Sequence, residues 1–297
     1  MSQSFEHAKS RLENIRAIEP LLGALRTMSM GAWQMANRKI NSLSKYEQDL
    51  DQILLEILPK FIRKPALEQQ SDEISVNNSD TIFLVVGSER GLCGKFNASL
   101  TDRAFEVIEQ NKPASYQIWV MGSRLRLEFE RRKISIAWRK ELPASGLFTY
   151  HEAYTLTQGW LEQFEDYAFN RFVIIYNHLV KGSLYQFNKF TLLPYEFERD
   201  SVVTLSDARR WPPVIIETDP KGIYYQIIQH FITASFYKCL LLSAAAEHSA
   251  RYHLLQEASE NAEEIIEDLV WVINAERKRK ITQQMQELAV SAGLLEK

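Results

Sequence analysis

The 297 residues can hold one large domain or two smaller ones, and 45% hydrophobic with 25% charged residues is ordinary for a globular protein. A formal net charge of −3 argues against a general polyanion binder, so nucleic acid is not an expected partner. Cys93 and Cys239 are too few for a disulfide framework, which fits a reducing compartment, and no uncharged apolar run of about 18 residues offers a direct membrane span.

The amino terminus, MSQSFEHAKSRLENIR, has no apolar core and carries acidic residues early, so it reads as mature protein and not as a signal peptide. Residues 3–58 carry a helical stripe: Phe5, Ala8, Leu12, Ile15, Leu22, Leu25, Ser29, Ala32, Ala36, Ile40, Leu43, Leu50 and Ile53. Pro20 interrupts it, removing a backbone donor and crowding the preceding turn, and a kink is expected near Glu19. Gly23 and Gly31 weaken the helix further, and Pro59 and Pro65 are expected to close it. Residues 64–80 are polar and turn-rich and form a linker.

The texture changes at Thr81. TIFLVV (Thr81–Val86) is a short, β-branched apolar run, hence a buried strand, and it ends in GSERGLCGKFN before a helix through about Asn111. Strands are expected at Tyr116–Met121, Ile134–Trp138, Arg171–Tyr176 and Gln186–Leu193, the last alternating as an edge strand does. Helices are expected over Ser123–Lys133 and Tyr150–Tyr167. Strands alternating with helices indicate a three-layer α/β unit with a mostly parallel sheet. Residues 195–219, with Pro212 and Pro213, read as loop.

From Ile223 to Ala292 there is no glycine or proline, and small or apolar residues recur every three or four positions. They are Ile227, Phe231, Ser235, Cys239, Leu242, Ala246, Ala250, Leu254, Ala258, Ala262, Ile265, Leu269, Ile273, Met285 and Leu288. Gly222 and Gly293 mark the ends. A helix of roughly 70 residues reaches roughly 105 Å at about 1.5 Å per residue, so it must pack on something. The simplest solution is an antiparallel coiled coil of the two terminal helices, 1–60 and 220–297, with an α/β domain at 80–215 inserted between them. The small face LSAAAEHSA (Leu242–Ala250) favours close helix approach; a helix bundle folded back into a globule is the alternative.

Four features carry candidate chemistry. The loop with Gly87, Gly91 and Gly94 stands where a nucleotide fold holds phosphate, but it matches neither GxGxxG nor GxxxxGK[ST], and a tight turn packing the helix onto the sheet is favoured. Cys93 has no histidine near it in sequence, which favours a structural thiol over a nucleophile. His248 and His253 lie five apart and lack metal-ligand spacing, so no metal or cofactor is expected. On the last helix, Glu263, Glu264, Glu267 and Asp268 precede the basic run Arg277, Lys278, Arg279 and Lys280. Such runs are ordinarily solvated helix surface; a partner-facing basic collar is the sharper reading.

Three stretches resemble the gamma subunit, or central stalk, of F-type rotary ATP synthases. GSERGLCGKFN (Gly87, Arg90, Gly91, Cys93, Gly94 and Asn97) is similar to that family's GS-[DE]-RGLCG-x-[FY]-N segment. NAERKRKITQQMQEL (Asn274–Leu288) resembles its carboxyl-terminal signature, and Ser243–Ile266 resembles a preceding one at Glu247, Ala250, Arg251, Ala258, Asn261 and Ala262. The resemblance covers the whole length. It implies a noncatalytic rotor whose coiled coil turns inside a hexamer of alpha and beta subunits. The α/β domain is then expected to touch an epsilon-type subunit and the membrane c-subunit ring. The implied location is peripheral, on the cytoplasmic face of a bacterial plasma membrane. Arg251, Arg277 and Thr282 match positions that touch beta-subunit loops, while Lys278 stands where the family usually has glutamine. PLLGALRTMSMGAW (Pro20–Trp33) departs from the family's first helix, and with the GSERG spelling it resembles the N-type (sodium-type) branch. Two other classes stay open: a stand-alone coiled-coil scaffold derived from a rotor subunit, and an α/β nucleotide-binding enzyme.

Overall fold

The computed structural model describes residues 2–61, 80–143, 147–180, 185–195 and 219–291. The expected linker at 64–80 (but for Asp80), the loop with Pro212 and Pro213, and the stop at Gly293 lie outside the described residues. The elements are α1 (Ser2–Phe61), β1 (Asp80–Val86), α2 (Phe96–Asn111), β2 (Ser115–Met121), α3 (Ser123–Arg131) and β3 (Trp138–Lys140). They continue with α4 (Tyr150–Glu165), β4 (Arg171–Leu179), β5 (Tyr185–Leu193) and α5 (Pro220–Ser291).

By its internal contacts the chain divides into two units. One pairs α1 as far as Ser29 with α5 from Arg251 onward; the other runs from Met30 to Ala250. Within the first, Ala8, Leu12 and Ile273 form a cluster with Phe5, Ile266, Leu269 and Val270 packed on it. Arg26 Nη1 donates to Gln256 Oε1 at 2.6 Å. As α1 numbers rise, their α5 partners fall, which is antiparallel pairing. Within the second unit, Leu50 and Leu54 pack on Ile227 and Phe231, and Lys238 Nζ meets Glu47 Oε2 at 2.6 Å.

The helix α1 continues through Pro20 and ends at Phe61, beyond Pro59. Its inward face is Ala8, Leu12, Ser29, Ala36, Leu43, Leu50 and Leu54; Ile53, expected inward, is exposed, and Leu54 takes its place. Pro220 and Gly222 open α5. Pro220 lies in the first turn, where its missing N–H costs nothing, and Asp219 caps it by accepting from the Gly222 N–H.

The sheet order is β3-β2-β1-β4-β5, with β1, β2, β3 and β4 parallel and β5 antiparallel at the edge. Alternation along the strands builds three layers. Phe83, Val85, Ile118, Val120, Val173 and Ile175 face α2 and α3 through Leu100, Ala104, Leu125 and Phe129. Ile82, Leu84, Val86, Met121, Ile174 and Phe172 face α4 and α5 through Ala153, Trp160, Phe236 and Leu240, and Ala36 and Leu43 of α1 join that cluster. Trp160 lies with ring centroids 4.8 Å from both Phe172 and Phe236, tying β4 to α5.

The third strand departs from the expected Ile134–Trp138. Ile134 N–H turns back to the Phe129 carbonyl, and Ile134 and Ile136 pack against the α2/α3 cluster; pairing with β2 begins only at Trp138. Helix α3 ends at Arg131, short of Lys133, whose φ is 58°, and α4 ends at Glu165, short of Tyr167, also at φ 58°. A capping box starts α4: Thr149 accepts from Glu152 N–H while Glu152 accepts from Thr149 N–H. One window of α5 is long and apolar enough to cross a bilayer, but 67% of it is buried inside the fold, as a core helix places it.

Candidate functional site

The loop from Gly87 to Asn97 joins the carboxyl end of β1 to α2. Gly87 N–H donates to the Met121 carbonyl at 2.9 Å, extending the sheet ladder by one residue. A Cβ on Gly87 would lie 2.5 Å from Leu125 Cβ and 2.7 Å from Asn97 Oδ1, so only glycine fits there. Ser88 N–H donates to Asn97 Oδ1 at 3.0 Å, Asn97 Nδ2 donates to Ser88 Oγ at 2.7 Å, and Ser88 Oγ donates to the Arg90 carbonyl at 2.9 Å. The loop turns through Leu92 at φ 62° and Gly94 at φ 60°, after which Phe96 opens α2.

Glu89 ties this loop to its neighbours. Its carboxylate accepts the backbone N–H of Ser123 at 3.0 Å, the Ser123 hydroxyl, and the Leu142 N–H at 2.9 Å. Burial alone would raise the Glu89 carboxyl; the bonds from Ser123 and Leu142, with Arg126 close by, outweigh it and hold the group below its ordinary 4.5. A cavity of about 260 Å³ beside Ser123 is lined by Gly122, Arg126, Arg139 and Lys140. The Glu89 carboxylate thus sits at the α3 amino terminus. The close fit of Gly87 against Leu125 and Asn97 supports the tight-turn reading of the loop.

Cys93 is buried among Phe96, Ala246 and Ala250, its Sγ 3.5 Å from Ser88 Oγ. On the same α5 face, Ser243 Oγ donates to the Val86 carbonyl at 3.2 Å. The small-residue stretch of α5 thus receives the end of β1 and the motif loop together. Cys239 is wholly buried, and burial pushes its thiol up to about 12, which makes it unreactive at neutral pH. Among the described residues no group of three or more His, Cys, Asp or Glu side chains is placed to hold a metal.

The structure gathers Gly87, Arg90, Gly91, Cys93, Gly94 and Asn97 into this one loop and adds Ser88, Glu89, Ser123 and Leu142, which the sequence did not single out. The residues expected to meet partner loops lie elsewhere, on α5. Arg251, expected to touch a beta-subunit loop, is 5% exposed and buried within the chain. Arg277, Lys278 and Thr282 are exposed, and Thr282 Oγ1 donates back to the Lys278 carbonyl at 3.0 Å. Arg279 lies 3.8 Å from Glu276. Past Ile273 the helix is bare: Ile281, Met285, Leu288 and Val290 are 51–67% exposed. Met285 and Leu288, expected inward, are exposed instead; among the described residues the cluster with α1 ends at Ile273.

A family model described as ATP synthase matches residues 4–294. The gamma chain of Nautilia profundicola ATP synthase is 24% identical over 297 residues, covering 99% of either chain. That of Fusobacterium nucleatum is 23% identical over 296 residues, 97% of this chain and 98% of the other. The rotor of Euglena gracilis mitochondrial ATP synthase shares the fold with a TM-score of 0.59 at 12% identity, covering 95% of this chain and 100% of that one. The central stalk of Tetrahymena thermophila mitochondrial ATP synthase superposes with a TM-score of 0.55 at 16% identity, over 80% and 99%. With long terminal helices, an inserted mostly parallel sheet and a model match across nearly every residue, the chain belongs to the ATP synthase family, among its gamma chains.

Proposed function

We propose that this chain is the noncatalytic central shaft of a rotary ATP synthase, coupling ion passage through a membrane c-subunit ring to ATP synthesis or hydrolysis in an alpha/beta hexamer. The observation that carries this reading is the bare end of α5. A helix exposing Ile281, Met285, Leu288 and Val290 gains little from its own chain there, and long exposed apolar stretches mark interaction surfaces. The bore of a hexamer supplies an enclosing wall on every side.

In this reading the two rods, 1–60 and 220–297, form the shaft, and the α/β domain over 80–215 meets the epsilon-type subunit and the ring. Arg277, Lys278 and Thr282 are the proposed contacts with beta-subunit loops. A shaft with different side chains around its circumference offers each beta subunit a different surface as it turns. That is differential stabilisation of their conformations, which is what changes nucleotide affinity. A noncatalytic role is supported by the polar loop, which among the described residues is occupied internally by Asn97 and Glu89. The proposed location is peripheral, on the cytoplasmic face of a bacterial membrane.

The test is gentle isolation of the tagged chain from its own host. Co-purification of a hexamer of two larger nucleotide-binding subunits, with ATPase activity, supports the shaft. A homo-oligomer without that hexamer overturns it and favours a coiled-coil scaffold.

A further inference from the structure

Strand β3 brings a guanidinium to the flank of α3. Arg139 pairs in register with Val120 of β2, whose side chain belongs to the α2/α3 cluster, so Arg139 stands on the same sheet face as α3. Arg126, one turn into α3, lines the same cavity of about 260 Å³. Two guanidiniums from different elements thus converge at the carboxyl ends of β2 and β3, the end of an open α/β sheet where ligands bind. The floor is backbone. Gly122 N–H donates to the Lys140 carbonyl at 3.0 Å, and a Cβ on Gly122 would lie 2.7 Å from the Ser88 carbonyl oxygen, so the floor is fixed and bare. Exposed Lys140 and Glu141 complete the rim.

The nearby carboxylates leave these cations in surplus. Glu89 lies behind Ser123, where its oxygens take the Ser123 N–H and hydroxyl and the Leu142 N–H. Glu130 meets Arg126 Nη1 at 2.6 Å in an exposed pair, a kind that contributes little. Lys140 lies within electrostatic reach of Glu152, whose carboxylate is already bonded to Thr149. Among the described residues Arg139 has no ion pair. The lining side chains carry three positive charges, Arg126, Arg139 and Lys140, against Glu141 alone, and a doubly charged anion balances the difference. A guanidinium fork binds the oxygens of phosphate two at a time. We propose that this cavity is a binding site for a small phosphate-type dianion, gripped by Arg126 and Arg139 with Lys140 at the rim. Pockets that enclose a drug-sized molecule hold about 300–1,000 Å³, so this smaller space suits a phosphate group, free or at the end of a small ester. Bound there, the anion bridges α3 to the short edge strand β3. The site is independent of the shaft reading and belongs to the chain in or out of a complex.

The experiment is calorimetric titration of the full chain with inorganic phosphate at constant ionic strength, repeated with glycerol 1-phosphate and with a polyglutamate peptide. Wild type is expected to bind phosphate saturably, and Arg139→Gln and Arg126→Gln are each expected to weaken it by about tenfold, through loss of a charge-assisted fork. Arg139→Lys, which keeps the charge and loses the fork, should lie between. Arg131→Gln, on α3 but outside the cavity, serves as control and should bind as wild type does. Tighter glycerol phosphate identifies the ester as the ligand, tighter inorganic phosphate the free ion, and either supports the site. Amide NMR of the wild type during the same titration decides the matter where a variant fails to fold: Gly122, Ser123 and Arg139 are expected to shift. No saturable binding up to about 10 mM phosphate overturns the proposal, as do binding unchanged in Arg139→Gln, shifts confined to other residues, or binding of polyglutamate alone.

Discussion

Asn97 and Ser88 hold each other by two hydrogen bonds: the asparagine oxygen accepts the serine N–H at 3.0 Å, and the asparagine amide donates to the serine hydroxyl at 2.7 Å. This reciprocal pair closes the loop between β1 and α2 and keeps Gly87 within reach of Met121. Asn97→Ala is expected to leave the buried Ser88 N–H unsatisfied and to destabilise the chain by about 2–3 kcal/mol. Urea unfolding of the full chain measures this. Asn97→Asp, which keeps the acceptor and loses the donor, should fall between the two; a loss equal to that of alanine would show that the donor half matters most.

Glu89 predicts a pH dependence. Its folded carboxyl sits below the ordinary 4.5, so the ionised form is the one the fold favours. Its stabilising contribution is fully present above that ordinary value and is lost as pH falls through the lower folded value. Glu89→Gln should therefore lower the melting temperature at neutral pH. The gap to wild type should narrow as pH drops below about 4.5. Melting curves across that range check the sign, and a constant gap would assign the loss to shape and not to charge.

Lys238, Glu47 and Asp51 meet where α1 packs on α5. Burial first, and then the Glu47 charge, raise the Asp51 carboxyl, while Lys238 opposes the shift. Lys238→Met should remove the cation that offsets two carboxylates one turn apart, costing about 1 kcal/mol at neutral pH for a pair this exposed. The raised folded value means that Asp51 takes up its proton above the ordinary 3.8. Acidification relieves the repulsion, and the difference between variant and wild type should shrink on that side. Thermal unfolding at two pH values reads both effects.

Trp160 is 4% exposed and in ring contact with Trp119, Trp138, Phe172 and Phe236. Trp160→Ala is expected to cost about 3–5 kcal/mol, the range for a large aromatic removed from a packed core. By contrast, Arg277→Ala and Met285→Asp lie on exposed α5 and should leave the chain's own stability within about 0.5 kcal/mol. In the assembled complex both should weaken coupling between ATP hydrolysis and ion pumping. Unchanged ATP-driven pumping in Arg277→Ala would remove that residue from the contact surface.

Much of the architecture was legible in the sequence because it is periodic or apolar. Steps of three and four mark α1 and α5, and the runs at Thr81, Tyr116 and Arg171 mark strands that are buried on both faces. The third strand was misplaced for a physical reason. Ile134 and Ile136 are the apolar residues, but they serve the α2/α3 cluster, and the edge strand is the charged Trp138–Lys140. Outward-facing Met285 and Leu288 continue the inward stripe in sequence; only the end of the cluster at Ile273 distinguishes them. Glu89 stands at the acidic position of the motif, but its hydrogen-bond partners are 34 and 53 residues away and gave no local signal. The gamma-chain motif marked the loop without saying that Glu89 and Asn97 fill it.

The central claim is that this chain turns. The most direct measurement fixes the catalytic hexamer of the isolated complex to a surface, attaches a probe to the exposed α3 surface at Arg131, and follows it during ATP hydrolysis. The account predicts stepwise rotation in one direction that stops when ATP is withdrawn. Sustained ATP hydrolysis with a stationary probe would contradict it.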